Sequence, residues 1–176
     1  MFTINKHNKN HHKKVLTKKE YFISVIFISI IGFCLGILTI INIGLDSGIV
    51  SGSSMDNSIT DGTKTLYISE EFKTIKRGDV ITFYGYVDGE LVNIIKRVIA
   101  LPWEKITING ANVYINGELL EEPYATYTYP SEYYLEEIIK ENEYFVMGDN
   151  RSSSVDSRNV GPIPKKNILG VLIKSR

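Results

Sequence analysis

Between Tyr21 and Leu45 the chain carries no charged residue: YFISVIFISIIGFCLGILTIINIGL. These 25 residues exceed the about 20 that a helix needs to cross the hydrocarbon core of a bilayer. They are apolar on every face, which a helix packed into a soluble core rarely is over such a length. A cleaved export signal has a shorter apolar stretch, about 7–15 residues, followed by small residues at a cleavage site. The following segment DSGIVSGSSM matches that pattern poorly. The run is therefore expected to be one membrane-spanning helix. Gly32 and Gly36 form a G-x-x-x-G pair, a pattern that can mark helix pairing, though two small residues facing lipid are the simpler reading.

The formal net charge of zero hides an asymmetry. Residues 1–20 carry Lys6, Lys9, Lys13, Lys14, Lys18, Lys19 and Glu20, a net of +5, so the remainder carries −5. A basic tail ahead of an apolar span is expected on the cytoplasmic side. The expected organisation is a cytoplasmic basic tail (1–20), a transmembrane helix (21–45) and an extracytoplasmic domain (46–176). The acidic body argues against nucleic-acid binding. The single cysteine, Cys34, lies in the apolar run and can form no intramolecular disulfide. All three histidines, His7, His11 and His12, are in the tail.

Past Asp46 short alternating runs are separated by Asp61-Gly62, Asp88-Gly89, Asn109-Gly110 and Asn116-Gly117, dipeptides that close tight turns. NVYINGELL reads as a hairpin with Asn116-Gly117 at its tip, and GYVDGELVNIIKRVIA as another with a long second arm. SEYYLEEIIKEN (131–142) is the one stretch suited to a turn or two of helix. The body is expected to be mostly β.

Three segments could carry chemistry. Ser54, in Ser51-Gly52-Ser53-Ser54-Met55, lies nine residues past Leu45, a tether of about 30 Å at most when extended. Alone it reads as a linker serine. A serine nucleophile needs a base, and a body without histidine excludes a Ser–His–Asp triad. Lysine is the remaining common partner, provided burial lowers its pKa from about 10.4. In Asn93-Ile94-Ile95-Lys96-Arg97-Val98-Ile99, strand alternation puts Lys96 on the face of Ile94 and Val98. A lone lysine there is more often one that snorkels from a strand edge. Lys64, Lys73, Lys76, Lys140 and Lys165 sit in polar surroundings. The run from Met147 to Arg158 gathers Asp149, Arg151, Asp156 and Arg158 with four serines, enough for charge-assisted pairs to fix it, although a solvated loop is the default.

In this order the segments resemble the bacterial type I signal peptidases, from the anchor to about Gly170. SGSSM resembles the nucleophile box, RGDVITF (77–83) the next, IIKRVIALP (94–102) the lysine box and GDNRSSSVDSR (148–158), with Gly161, the last. The resemblance implies a mostly antiparallel β body that can sit against the membrane, with Ser54 as nucleophile and Lys96 as general base. It implies that the Ser54 amide donates to the oxyanion, that Ser154 orients the lysine amine, and that Arg97–Asp149 and Asp156–Arg158 are bracing ion pairs. Gly52 belongs to the nucleophile box, and Met55 would sit beside the substrate pocket. Neither metal nor cofactor is implied. The substrates implied are preproteins at the membrane surface, cut after small residues at −3 and −1; the oligomeric state stays open.

The chain departs from the family in two places. Asn57 stands where proline is usual, which should relax the turn behind Ser54. Trp103 stands where glycine is usual, so a positive φ there carries a cost, and its ring would suit a membrane interface. The tyrosine-rich TYTYPSEYY fits an interfacial or substrate-facing loop, or an ordinary aromatic strand edge. These departures fit a dedicated substrate set, for instance pilin-like precursors. The alternative in a different class is a non-catalytic assembly factor for surface fibres on the same scaffold, which would be expected to lack the serine or the lysine. Self-cleaving repressors also use Ser–Lys chemistry, but they are soluble.

Overall fold

The computed structural model describes residues 17–87, 89–127 and 132–175. The first sixteen residues, with four of the tail lysines and all three histidines, lie outside these. The chain divides into a unit ending at Ile41 and a second from Asn42 to Arg176. The first contains most of helix α1 (Lys18–Gly44), which is long and apolar enough to cross a membrane. Thr17 accepts from the Glu20 amide while the Glu20 carboxylate accepts from the Thr17 amide and hydroxyl, a reciprocal cap that starts the helix ahead of the apolar run. Leu45, the last residue of that run, opens a strand instead.

The second unit is built from β1 (Leu45–Ile49), β2 (Lys64–Ser69), β3 (Val80–Val87), β4 (Glu90–Ala100), β5 (Lys105–Asn109), β6 (Asn112–Ile115), β7 (Glu118–Leu119), β8 (Tyr134–Ile138), β9 (Glu143–Met147), β10 (Ile163–Pro164) and β11 (Ile168–Ser175). The short helix α2 spans Ser157–Val160. One sheet has the order β1-β2-β11-β3-β4-β9-β10 and the other β7-β6-β5-β8, with every pairing antiparallel. The body is mostly β, as its turn-punctuated alternation implies.

Two hairpins fall where the turn dipeptides put them. Ile115 pairs with Glu118 around Asn116-Gly117, both at positive φ (52° and 90°), the conformation a two-residue hairpin loop needs. Val87 pairs with Glu90. The Asn109-Gly110 turn is displaced by one residue: Asn109 still pairs with Asn112, so the loop is Gly110-Ala111. Residues 132–142 are not helical. Tyr134–Ile138 is strand β8 against β5, with exposed Tyr134, Glu136 and Ile138 alternating with half-buried Leu135 and Glu137. Its period is two, and β5 offered an unpaired edge, so ladder bonds outweigh weak local helix preference.

β4 passes from an exposed tip to a buried end, and β9 is buried on both faces. Val98 and Val146 pack with Ile81, Phe83, Ile168 and Val171 on one side. Ile99, Phe145 and Met147 pack with Ile106, Ile108 and Val113 of the smaller sheet on the other. A third cluster of Val50, Met55, Ile59 and Val80 lies under the turn that carries Ser54. The middle of β4, where Lys96 sits, is thus held between two cores.

Candidate active site

Ser54 lies in the loop between β1 and β2. The loop closes on itself: the Val50 amide donates to the Thr63 carbonyl, the Gly62 amide to the Val50 carbonyl, and the Gly52 amide to Asp61 Oδ1. Gly52 takes φ +101°, which only glycine adopts cheaply, and so turns the chain into the serine. Met55 is fully buried among Val50, Ile59 and Val80. It belongs to the core rather than to an open wall beside a pocket, and it pins the turn from below. Truncation of such a side chain costs about 2–5 kcal/mol.

Lys96 arrives from β4, directly across from Ile81, on the face it shares with Ile94 and Val98. Its residue is 4% exposed, against the solvated alternative for a strand lysine. Nζ lies 2.7 Å from Ser54 Oγ and 3.0 Å from the Ile95 carbonyl oxygen. Burial lowers its pKa to about 8, and the negative charges of Asp156 and Asp149 partly oppose that shift. An amine with that value is neutral in a useful fraction of molecules near neutral pH. Among the described residues the Ser54 amide has no hydrogen-bond acceptor, while its carbonyl accepts from the Asn150 amide.

The 148–158 segment braces this pair. Arg97 forms a fork on Asp149, Nε to Oδ1 at 2.8 Å and Nη2 to Oδ2 at 2.6 Å, with the carboxylate fully buried. Its other donors reach the Gly78 carbonyl and Ser58 Oγ. Asp156 caps α2 and accepts from Arg158 Nε and Nη2, both at 2.9 Å, and from the Gly148 amide. Both ion pairs implied by the resemblance are formed.

Ser154 departs from expectation. Its hydroxyl donates to Asp156 Oδ2 at 2.7 Å, and the two hydrogen bonds of the Lys96 amine go to Ser54 and Ile95. Donation to Asp156 leaves the hydroxyl lone pairs able to accept, but among the described residues the Lys96 amine gives its hydrogen bonds to Ser54 and Ile95 instead. Ser154 therefore bears on the site through Gly148. A Cβ at Gly148 would clash with Ser154 and lie 2.5 Å from the Ser54 carbonyl oxygen. Gly148→Ala should push the loop off the serine, and displacements near 1 Å cost about 100-fold in rate. We expect that loss in precursor cleavage, with the folded β content unchanged by circular dichroism.

Both departures from the family pattern prove conformational. Asn57 takes φ +99°, which proline's ring forbids, and its Nδ2 donates to the Tyr124 carbonyl at 2.8 Å. The turn is held by a hydrogen bond, not merely relaxed. Trp103 keeps a left-handed φ of +70° despite its side chain, fixed by its amide donating to the Ile139 carbonyl. Its ring is exposed.

One part of the site carried no signal in the sequence. Residues 122–127 run beside the 148–158 loop: the Thr126 amide donates to the Asp149 carbonyl and the Arg151 amide to the Thr126 carbonyl. The buried Arg151 forks onto Glu122, Nη2 to Oε1 at 2.6 Å and Nη1 to Oε2 at 2.8 Å, so it pairs with neither aspartate of its own loop. Of the tyrosine-rich segment, residues 128–131 lie outside the described residues. Tyr127 accepts from Arg151, Tyr133 donates to the Arg158 carbonyl, and Tyr134 is exposed. Two open surface clefts, of about 470 and 300 Å³, are lined by Glu141–Glu143 with Lys165 and by Leu45–Asp46 with Tyr67. Neither includes Ser54 or Lys96, so hydrogen-bond geometry rather than cavity volume marks the site.

The β body brings a serine hydroxyl within 2.7 Å of a buried lysine amine. Residues 19–174 match the family model described as signal peptidase, peptidase S26. Signal peptidase I V of Bacillus subtilis is 36% identical over 138 residues, covering 70% of this chain and 80% of that protein. Signal peptidase IB of Staphylococcus aureus is 29% identical over 140 residues, 69% and 72% of the two chains. A crystal structure of a signal peptidase I from Enterococcus faecalis superimposes with a TM-score of 0.50 at 29% identity, covering 57% of this chain and 98% of that one. The chain belongs to the signal peptidase family, peptidase S26, and is a serine peptidase.

Proposed function

We propose that this chain removes signal peptides from exported preproteins, with Ser54 as nucleophile and Lys96 as general base. The observation that carries the reading is the 2.7 Å approach of a buried lysine amine to a serine hydroxyl in a family of peptidases. In the neutral form the amine accepts the hydroxyl proton while Oγ attacks the carbonyl carbon of the scissile bond. The Ser54 amide, which has no acceptor among the described residues, would donate to the oxyanion. Lys96 then gives its proton to the leaving amine, and the acyl-enzyme forms. Water, deprotonated by Lys96, attacks the ester, and Lys96 returns that proton to Ser54 Oγ as the acid product leaves. Arg97–Asp149 and Asp156–Arg158 hold the elements that carry the pair. Specificity for small residues at −3 and −1 follows from the family resemblance.

The apolar helix supports a membrane anchor, and the lysines ahead of it support a cytoplasmic tail and an extracytoplasmic body. In that arrangement the bilayer and membrane-presented preproteins are its partners. A dedicated substrate subset, such as pilin-like precursors, would fit the altered turn at Asn57. The test is cleavage of a purified precursor in detergent, with the new N-terminus sequenced. Cutting after a small −1 residue is expected from the wild type. Cleavage unimpaired in Ser54→Ala would refute the mechanism, and cutting indifferent to the −1 residue would refute the specificity.

A further inference from the structure

Residues Glu122–Tyr127 connect β7 to the segment before β8, yet they contact all three elements that carry the Ser54–Lys96 site. Asn57, three residues after the serine, donates to the Tyr124 carbonyl across 67 residues of sequence. The Tyr124 ring lies under the Arg97 guanidinium, 4.2 Å from its carbon to the ring centroid, and Arg97 directly follows Lys96. Thr126 exchanges backbone hydrogen bonds with the 148–158 loop, and Glu122 holds Arg151 of that loop in a fork. The strap thus contacts the nucleophile turn, the lysine strand and the final loop at once.

We propose that this strap positions Ser54 against Lys96, and that Asn57 is its grip on the nucleophile turn. The proposal rests on the reading of Ser54 and Lys96 as nucleophile and base. It explains why Asn57 holds a left-handed φ: asparagine tolerates that region better than most residues, and its short amide can reach a neighbouring carbonyl from there. Arg151 and Glu122 have side chains 0% and 7% exposed, so the far end of the strap is a buried anchor. The Asn57 end is exposed, so it can be altered without opening a core. Asn57 is a positioning residue: it acts on the reaction only by holding the turn.

The test compares the wild type, Asn57→Gly, Asn57→Asp and Ser54→Ala on a purified precursor in detergent. Glycine keeps φ +99° without steric cost and removes only the amide. Aspartate keeps the size and sets a carboxylate oxygen against the Tyr124 carbonyl. We expect kcat to fall about fivefold in Asn57→Gly, the scale of one partly exposed hydrogen bond, and at least as far in Asn57→Asp. KM should stay within about twofold, because the bond acts on the reacting pair. A looser turn admits water to Lys96, so the acid limb of the kcat–pH profile should move to higher pH. A double-mutant cycle with Glu122→Gln should be non-additive, the double variant losing little more than the worse single one. Wild-type kcat and an unmoved acid limb in both Asn57 variants overturn the proposal. So does a loss that only follows a lowered Tm, or strict additivity with Glu122→Gln. If Ser54→Ala still cleaves, the nucleophile reading has failed first and takes the proposal with it; if Ser54→Ala is inert and the Asn57 variants are normal, the strap alone is refuted.

Discussion

Lys96→Met is expected to lose precursor cleavage by about 10³-fold or more while the protein becomes more stable at pH 7. The first half follows from removal of the proposed general base. The second follows from the cost of holding a lysine where its pKa falls from 10.5 to about 8. Below pH 8 the amine is protonated in both folded and unfolded chains, and the folded chain bears the full cost of the buried charge. As pH rises from 8 toward 10.5 the folded chain releases its proton first, and the cost fades. A shift of this size corresponds to roughly 3 kcal/mol, less whatever the bonds to Ser54 and Ile95 contribute. Denaturant unfolding should show the variant gaining of order 1–3 kcal/mol at pH 7 and losing that advantage above pH 10. A site that costs stability to keep its base is expected of a catalytic lysine. A lysine retained for structure would show the reverse, a variant that is less stable and still active.

The second large effect is structural. Asp156→Ala should destabilise the body by about 3–5 kcal/mol, the scale for removing one partner of a buried ion pair. The carboxylate has no exposed surface and accepts from the Gly148 amide, the Ser154 hydroxyl and the Arg158 backbone and guanidinium. Without it α2 loses its cap, the half-buried Arg158 loses its counter-charge, and Gly148 loses its tie beneath Ser54. Burial pushes the Asp156 carboxyl up, but the Arg158 hydrogen bonds and charge, with those from Gly148 and Ser154, outweigh it and leave the pKa lowered from 3.8. A depressed carboxyl stabilises the fold above its unfolded pKa and loses that contribution as pH falls below about 4. The gap between wild type and variant in urea unfolding should therefore be full at pH 6 and narrow at pH 3. Asp156→Asn, which keeps the shape, should fall between the two.

Local chemistry made some of this legible in the sequence and distance hid the rest. The Asn116-Gly117 hairpin and the long arm of β4 were readable because a two-residue turn and a period of two are both local. Lys96 was readable as a lysine on an apolar face because alternation set it beside Ile94 and Val98, and its proposed role as base came only with the resemblance. The paired charges of Arg97 with Asp149 were readable only through the resemblance, since 52 residues separate them. Glu122 with Arg151 and Asn57 with Tyr124 left no mark: their separations are 29 and 67 residues, and neither lies in a periodic run. Ser154 shows a different limit. Its hydroxyl could donate to Asp156 and accept from Lys96, and only the three-dimensional arrangement shows that the first bond forms and the second does not. The segment 131–142 misled because its leucine, isoleucines and glutamates suit a short helix, while the open edge of β5 recruited it as a strand.

The central claim is that Ser54 attacks with a proton taken by a neutral, buried Lys96, and the pH dependence of single-turnover precursor cleavage tests it most directly. The wild-type rate should climb about tenfold per pH unit up to roughly pH 8, where Lys96 loses its proton, and then level off, while Ser54→Ala stays inert at every pH. A wild-type rate that is flat across that range, or measurable cleavage by Ser54→Ala, would contradict the account.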